Sequence, residues 1–118
     1  MAKSKQERDL DAALAELYPL DKVLHEYAIR VDQRTLYIDR FLPQRMLAIE
    51  VDGRQHFEYC SYFHGDLDGF RKSQARDRRK VEWLNDNGYA LVRFRYDEQI
   101  TTALLRERII KAYNDDDD

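Results

Sequence analysis

Between Val23 and Val51 the chain carries three stretches in which apolar residues recur at every second position, "VLHEYAIRV", "TLYIDRFL" and "RMLAIEV". They are joined only by Asp32, Gln33 and Arg34, and then by Pro43 and Gln44. Alternation of this kind, broken by short polar or proline-containing links, predicts three consecutive strands. Links this short hold no crossover helix, so neighbouring strands are expected to run antiparallel. Everything else in the chain has to pack on that meander.

The flanking segments have helical spacing. Ser4 and Glu7 stand three apart, as in a capping box, and Leu10, Ala13, Leu14 and Leu17 follow, which predicts a helix from Ser4 to Leu17 that Pro19 stops. A second helix is expected from Phe70 to Asn85, ended by "NDNG", and "YALVRFR" should form a fourth strand. A last amphipathic helix runs through Ile100, Ala103, Leu104 and Ile110. The stretch from Gly53 to Gly69 has no period and reads as a long functional loop. The expected fold is therefore α/β in the order αβββαβα, a mixed sheet of four strands flanked by helices. It forms one domain over residues 1–114, with an acidic disordered tail at residues 115–118.

Several function classes fall away at this point. No apolar run approaches the ~20 residues that cross a bilayer, and "MAKSKQERD" has no signal-like segment, so no membrane role and a cytoplasmic location are expected. Cys60 is the only cysteine, which excludes an intrachain disulfide and a multi-cysteine zinc site and leaves hard oxygen ligands as the way to hold a metal. The net charge of −3 includes the terminal "DDDD", so the rest of the chain stands at about +1. Its bases are concentrated in "RKSQARDRRK", Arg71 to Lys80, a local patch suited to phosphate.

The acids are placed less ordinarily. In "LAIEVDGRQHF", Glu50 and Asp52 share one face of the third strand with Ala48, and that face is either the solvated side of the sheet or one wall of a charged site. Asp39 lies in "YIDRF", with Tyr37 and Phe41 on the same face by alternation. If the two strands pair, Asp39 and Glu50 approach closely enough to share a divalent cation; the competing assignment is a salt bridge from Asp39 to Arg30 or Arg45. In the second helix Asp77, Val81 and Leu84 lie within about 40° of Phe70, so Asp77 points inward, toward a metal, the loop histidine, or an ordinary ion pair with Arg93 or Arg95. Glu7 shares a stripe with Leu10, Leu14 and Leu17, and either caps its helix or reaches toward the strands. His56, just after the Asp52-Gly53 turn, is placed to contact phosphate or activate water.

Taken in order, "YIDRF", "IEVDGRQHF", "QARDRRKVEWL" and "NGYALVRFR" resemble the PD-(D/E)XK nuclease superfamily, in its branch of very-short-patch repair and EDxHD homing endonucleases. The resemblance covers about Glu7 to Phe94. It implies a restriction-endonuclease-like core with a magnesium- or manganese-dependent phosphodiester hydrolase site. Carried across, it makes Asp39 and Glu50 the metal-binding acids, with Asp52, a further metal-ligand candidate, where the superfamily lysine usually stands. Glu7 becomes the helix acid, His56 the motif histidine with Gln55 orienting it, and Asp77 the aspartate of the second long helix. DNA is the implied partner, held by Arg54, Arg71, Lys72, Arg76, Arg79 and Lys80, with a homodimer or a targeting protein to supply sequence preference. The competing class is a nuclease-like fold that binds DNA or protein without cutting, which the missing lysine favours; an RNA-directed nuclease is a third.

Overall fold

A computed structural model describes residues 3–54 and 65–115. Helix α1 spans Lys5–Leu17, and strands β1 (Leu24–Val31), β2 (Arg34–Leu42) and β3 (Leu47–Asp52) follow. Helix α2 is Leu67–Asp86, β4 is Ala90–Arg95, and α3 is Thr102–Asp115. The sheet order is β1-β2-β3-β4, with β1, β2 and β3 antiparallel in succession and β4 parallel to β3. This is the expected mixed four-stranded α/β arrangement.

The sheet separates two cores. On one face Leu47, Ile49, Ala90, Val92 and Phe94 pack against Leu10 and Leu14 of α1 and Leu105 and Ile109 of α3. On the other, Ile29, Ile38, Phe41 and Ala48 meet Leu84 of α2, with Trp83 and Tyr89 packed against them. Full burial of a side chain such as Leu47 or Phe94 contributes roughly 1.5–3 kcal/mol, so the sheet is fixed mainly by these two layers. Tyr27, Phe41 and Tyr89 form a continuous stack at centroid distances of 4.2 and 4.5 Å.

Local chemistry explains where the elements begin and end. Ser4 accepts a hydrogen bond from the Glu7 N–H at 3.1 Å, which starts α1. Gly88, at φ +79°, closes α2, and the Tyr89 N–H returns to the Leu84 carbonyl. Helix α2 begins at Leu67, three residues earlier than its periodicity predicts, because Asp66 caps it by accepting from the Gly69 N–H at 2.7 Å. The β1–β2 turn needs only Asp32 and Gln33, both at positive φ, and Arg34 is already paired with Val31. Pro43–Arg45 form a 3₁₀ turn that Met46 ends at φ +51°, so β3 starts at Leu47. Helix α3 continues through Asp115, the first residue of the expected disordered tail; residues 116–118 are not described.

One departure from alternation shapes the site. Glu26 takes φ +51° inside β1, and the β1–β2 pairing omits it and Asp39. Ile38 and Phe41, an odd number of positions apart, therefore lie in the same core, while Tyr37 is 53% exposed. Tyr37 and Phe41 nonetheless both lie on the α2 side, Phe41 in that core and Tyr37 beside Ser73, Arg76 and Lys80 of the helix.

Candidate active site

Asp39 and Glu50 meet where β2 and β3 part. The strands pair at Arg40–Ile49, Phe41–Ala48 and Leu42–Leu47, and the next opposite positions are Asp39 and Glu50. There the side chains replace the ladder: Val51 N–H donates to Asp39 Oδ2 at 2.8 Å, and Asp39 N–H donates to Glu50 Oε2 at 3.4 Å. Each acid is thus aimed by the backbone of the other strand.

Lys80 reaches this pair from α2, with its Nζ donating to Glu50 Oε1 at 2.7 Å. Both groups are almost out of solvent, the Glu50 side chain 4% exposed and that of Lys80 16%. Burial pushes the Glu50 carboxyl up to about 8, the contact with Asp39 pushes in the same direction, and Lys80 offsets only part of this. Two close acids with one cation leave Glu50 holding its proton in neutral solution.

A second cluster lies beside the first. Arg93 of β4 is opposite Glu50 in the parallel register and grips Asp52 with two hydrogen bonds, at 2.7 and 2.9 Å. Its Nη2 also donates to Asp77 of α2 at 2.7 Å. Burial works against the guanidinium charge, but the bonds from Asp52 and Asp77 outweigh it and hold the Arg93 pKa above its ordinary value. Asp77 points inward as expected and takes the ion-pair option with Arg93.

The remaining candidates divide by position. Glu7 is half-buried on α1, and its charge favours the protonated state of Arg40. Gln55 and His56 fall outside the described residues, and Arg54 is exposed at their edge. The alternative partners for Asp39 are committed elsewhere: Arg30 donates to Thr35 and Arg45 pairs with Asp21. On α2, Lys72 pairs with Asp68 and Arg79 with Asp32 of the hairpin turn. Arg71 is exposed, and Arg76 lines a cleft of about 250 Å³ with Tyr37, Ser73, Asp77 and Lys80.

Sequence reasoning placed Lys80 among surface DNA contacts and did not assign Arg93 an organising role. Lys80 lies three residues after Asp77 and four before Leu84, the spacing of the buried stripe, so the signal was present. A metal would find two oxygen donors here, Asp39 and Glu50. That suits magnesium, which binds through one or two carboxylates and keeps waters and substrate oxygens for the rest. No cluster of three or more His, Cys, Asp or Glu suited to a metal occurs among the described residues, and Asp52 is turned to Arg93.

No protein-family model matches the chain. It is 36% identical over 61 residues to uncharacterized protein 307L of Invertebrate iridescent virus 6, covering 52% of this chain and 31% of that protein. It is 33% identical over 89 residues to uncharacterized protein 094L of Frog virus 3 (isolate Goorha), covering 74% of this chain and 57% of that protein. A third relative, uncharacterized protein 033L of Invertebrate iridescent virus 3, is 33% identical over 61 residues, 52% of this chain and 31% of its own length. The chain spans less than two thirds of the length of these curated relatives, all of them viral.

Proposed function

We propose that the chain is a metal-dependent DNA endonuclease, one that nicks a single strand, with its reaction centre at Asp39, Glu50 and Lys80. The observation that carries this reading is the acid pair itself: two carboxylates aimed at one point by each other's strands, with Glu50 retaining a proton because its charge is under-compensated. Asp39 and Glu50 would hold magnesium or manganese, which when bound supplies Lewis-acid polarisation of a phosphate and a more acidic water. The Val51 N–H fixes the Asp39 carboxylate. To serve as a ligand Glu50 would have to lose its proton to solvent, and Lys80 carries positive charge to the same acid. The PD-(D/E)XK pattern expects a lysine at position 52; here the ammonium comes from α2, while Asp52 is held by Arg93. The basic face of α2 offers Arg71 and Arg76 to backbone phosphates, binding that weakens as salt rises. A viral or mobile-element origin fits the three viral relatives.

One observation favours a second reading, a nuclease-like module that binds without cutting: Lys80 and Arg93 already engage Glu50, Asp52 and Asp77. Supercoiled plasmid incubated with the protein and magnesium or manganese separates the two. The expected outcome is conversion to the nicked circle, lost in Asp39→Ala, and a magnesium-dependent rise in melting temperature that Glu50→Ala abolishes. Intact DNA binding with no nicking under either metal sinks the enzyme reading.

A further inference from the structure

The cleft beside the acid pair is built from one stripe of α2 and the start of β2. Ser73, Arg76, Asp77 and Lys80 stand at spacings of three, one and three along the helix and face Thr35, Leu36 and Tyr37 across the gap. Lys80 lines the cleft and its ammonium donates to Glu50, so the cleft adjoins the proposed reaction centre through that side chain. Its charge is uneven: Asp77 shares the single charge of Arg93 with Asp52, whereas the Arg76 guanidinium takes part in no ion pair among the described residues. Tyr37, on β2, is 53% exposed at this cleft. At about 250 Å³ the volume lies just below the ~300–1,000 Å³ of small-ligand sites, which suits one nucleotide and not a duplex groove.

We propose that this cleft seats one nucleotide of an unpaired strand next to the scissile phosphate, with Tyr37 stacking its base and Arg76 holding its phosphate. A ring face accepts any base, so this contact selects for an unstacked strand and not for sequence, and the substrate class becomes single-stranded DNA, or duplex DNA opened at a flap, bubble or frayed end. Asp77 lines the same wall, where its bond from Arg93 offsets part of its repulsion of a phosphate. This inference rests on the nuclease reading for its choice of ligand, but its test is independent of cleavage.

Fluorescence anisotropy without divalent metal, on the Asp39→Ala protein, compares a labelled oligo(dT) with a duplex of equal length. The unpaired strand is expected to bind at least tenfold more tightly. Tyr37→Ala should weaken binding of the unpaired strand about tenfold and leave the duplex nearly unchanged, with Tyr37→Trp restoring it. Arg76→Ala should weaken binding and flatten its salt dependence, with Arg76→Lys intermediate. Equal affinity for the two DNAs, or a Tyr37→Ala protein that melts normally and binds oligo(dT) as before, overturns the proposal. If the strand preference is found but plasmid is never nicked, the nuclease reading fails alone; nicking of plasmid without any Tyr37 effect leaves that reading intact and removes this one.

Discussion

Asp39 and Arg40 are neighbours in β2, and their side chains serve opposite faces of the sheet. Arg40 turns toward α1, 3% exposed, and bonds through all three of its nitrogens: Nε and Nη2 to Asp11 at 2.8 and 3.2 Å, and Nη1 to the Asp39 carbonyl at 2.8 Å. Burial raises the Asp11 pKa, but the bonds from Arg40 and Lys3 outweigh it and keep the carboxyl below its usual range. Asp39 turns toward α2 and meets Glu50, whose proton is retained. In the first arrangement the charges balance and each guanidinium nitrogen has an acceptor; the second is left short of positive charge, with Lys80 between it and the cleft. A buried ion pair alone therefore says little about function, whereas a buried acid that its surroundings fail to ionise marks the place where a cation or a reacting group belongs.

That contrast breaks most visibly in stability. Arg40→Ala removes one partner of a closed pair and should cost about 3 kcal/mol, at the lower end for buried pairs because the Asp11 side chain is 24% exposed. Asp39→Asn, one residue away, keeps an acceptor for the Val51 N–H and removes a like charge from Glu50, so its cost should stay within about 1 kcal/mol. Urea unfolding of the two variants, with unchanged slopes, measures both. Equal losses would mean that the two neighbours are alike and the contrast is false.

The pH dependence sharpens the same comparison. A Glu50 pKa of about 8 in the fold against an ordinary 4.5 means that the folded protein holds an extra proton between those limits. The unfolded chain binds fewer protons there, so the metal-free protein should lose stability progressively as pH rises from about 4.5 to 8, the lowering effect of Lys80 being already contained in that window. Glu50→Gln should remove that slope and be the more stable protein at pH 8. Glu98, whose carboxyl is held low by Arg108 and the Arg95 N–H, and Asp11 lose their contributions only in acid, outside this window. Urea midpoints at pH 5 and pH 8 in EDTA decide it; a wild type as stable at pH 8 as at pH 5 would remove the claim that Glu50 is under-compensated.

How far these features could be read in advance follows from which interactions are local. The element order, the Asp39–Glu50 approach and the inward Asp77 rest on periodicities of two and 3.6, which the residues carry themselves. The break at Glu26 could not be foreseen: no glycine stands there to mark a positive φ. Lys80 stood in a run of bases whose charge pattern is the same whether one of them is buried or none is. Only its offset from Asp77 and Leu84 separates it from Arg79, and that distinction needs the helix to be placed against the sheet. Asp52 was readable as an acid sharing a strand face with Glu50, but its choice of Arg93 over a metal depends on the parallel register of β4, which no motif encodes.

The smallest effect is expected at the hairpin turn, where Arg79 meets Asp32 at 3.3 Å with side chains 48% and 65% exposed. An exposed pair of this kind is screened and pays side-chain entropy, so Arg79→Ala should cost less than about 0.5 kcal/mol and nothing measurable in high salt. The same substitution removes one cation from the face of α2 proposed to carry phosphate, and there it should lower the salt slope of DNA binding by about one ion. Stability and binding are thereby uncoupled at Arg79, as they are not at Lys80, where the ammonium sits against Glu50. Lys80→Ala should weaken binding and also shift the Glu50 titration upward, because the cation that lowers it is gone. A residue on the basic face that moves binding alone is a DNA contact, and one that moves both belongs to the acid pair.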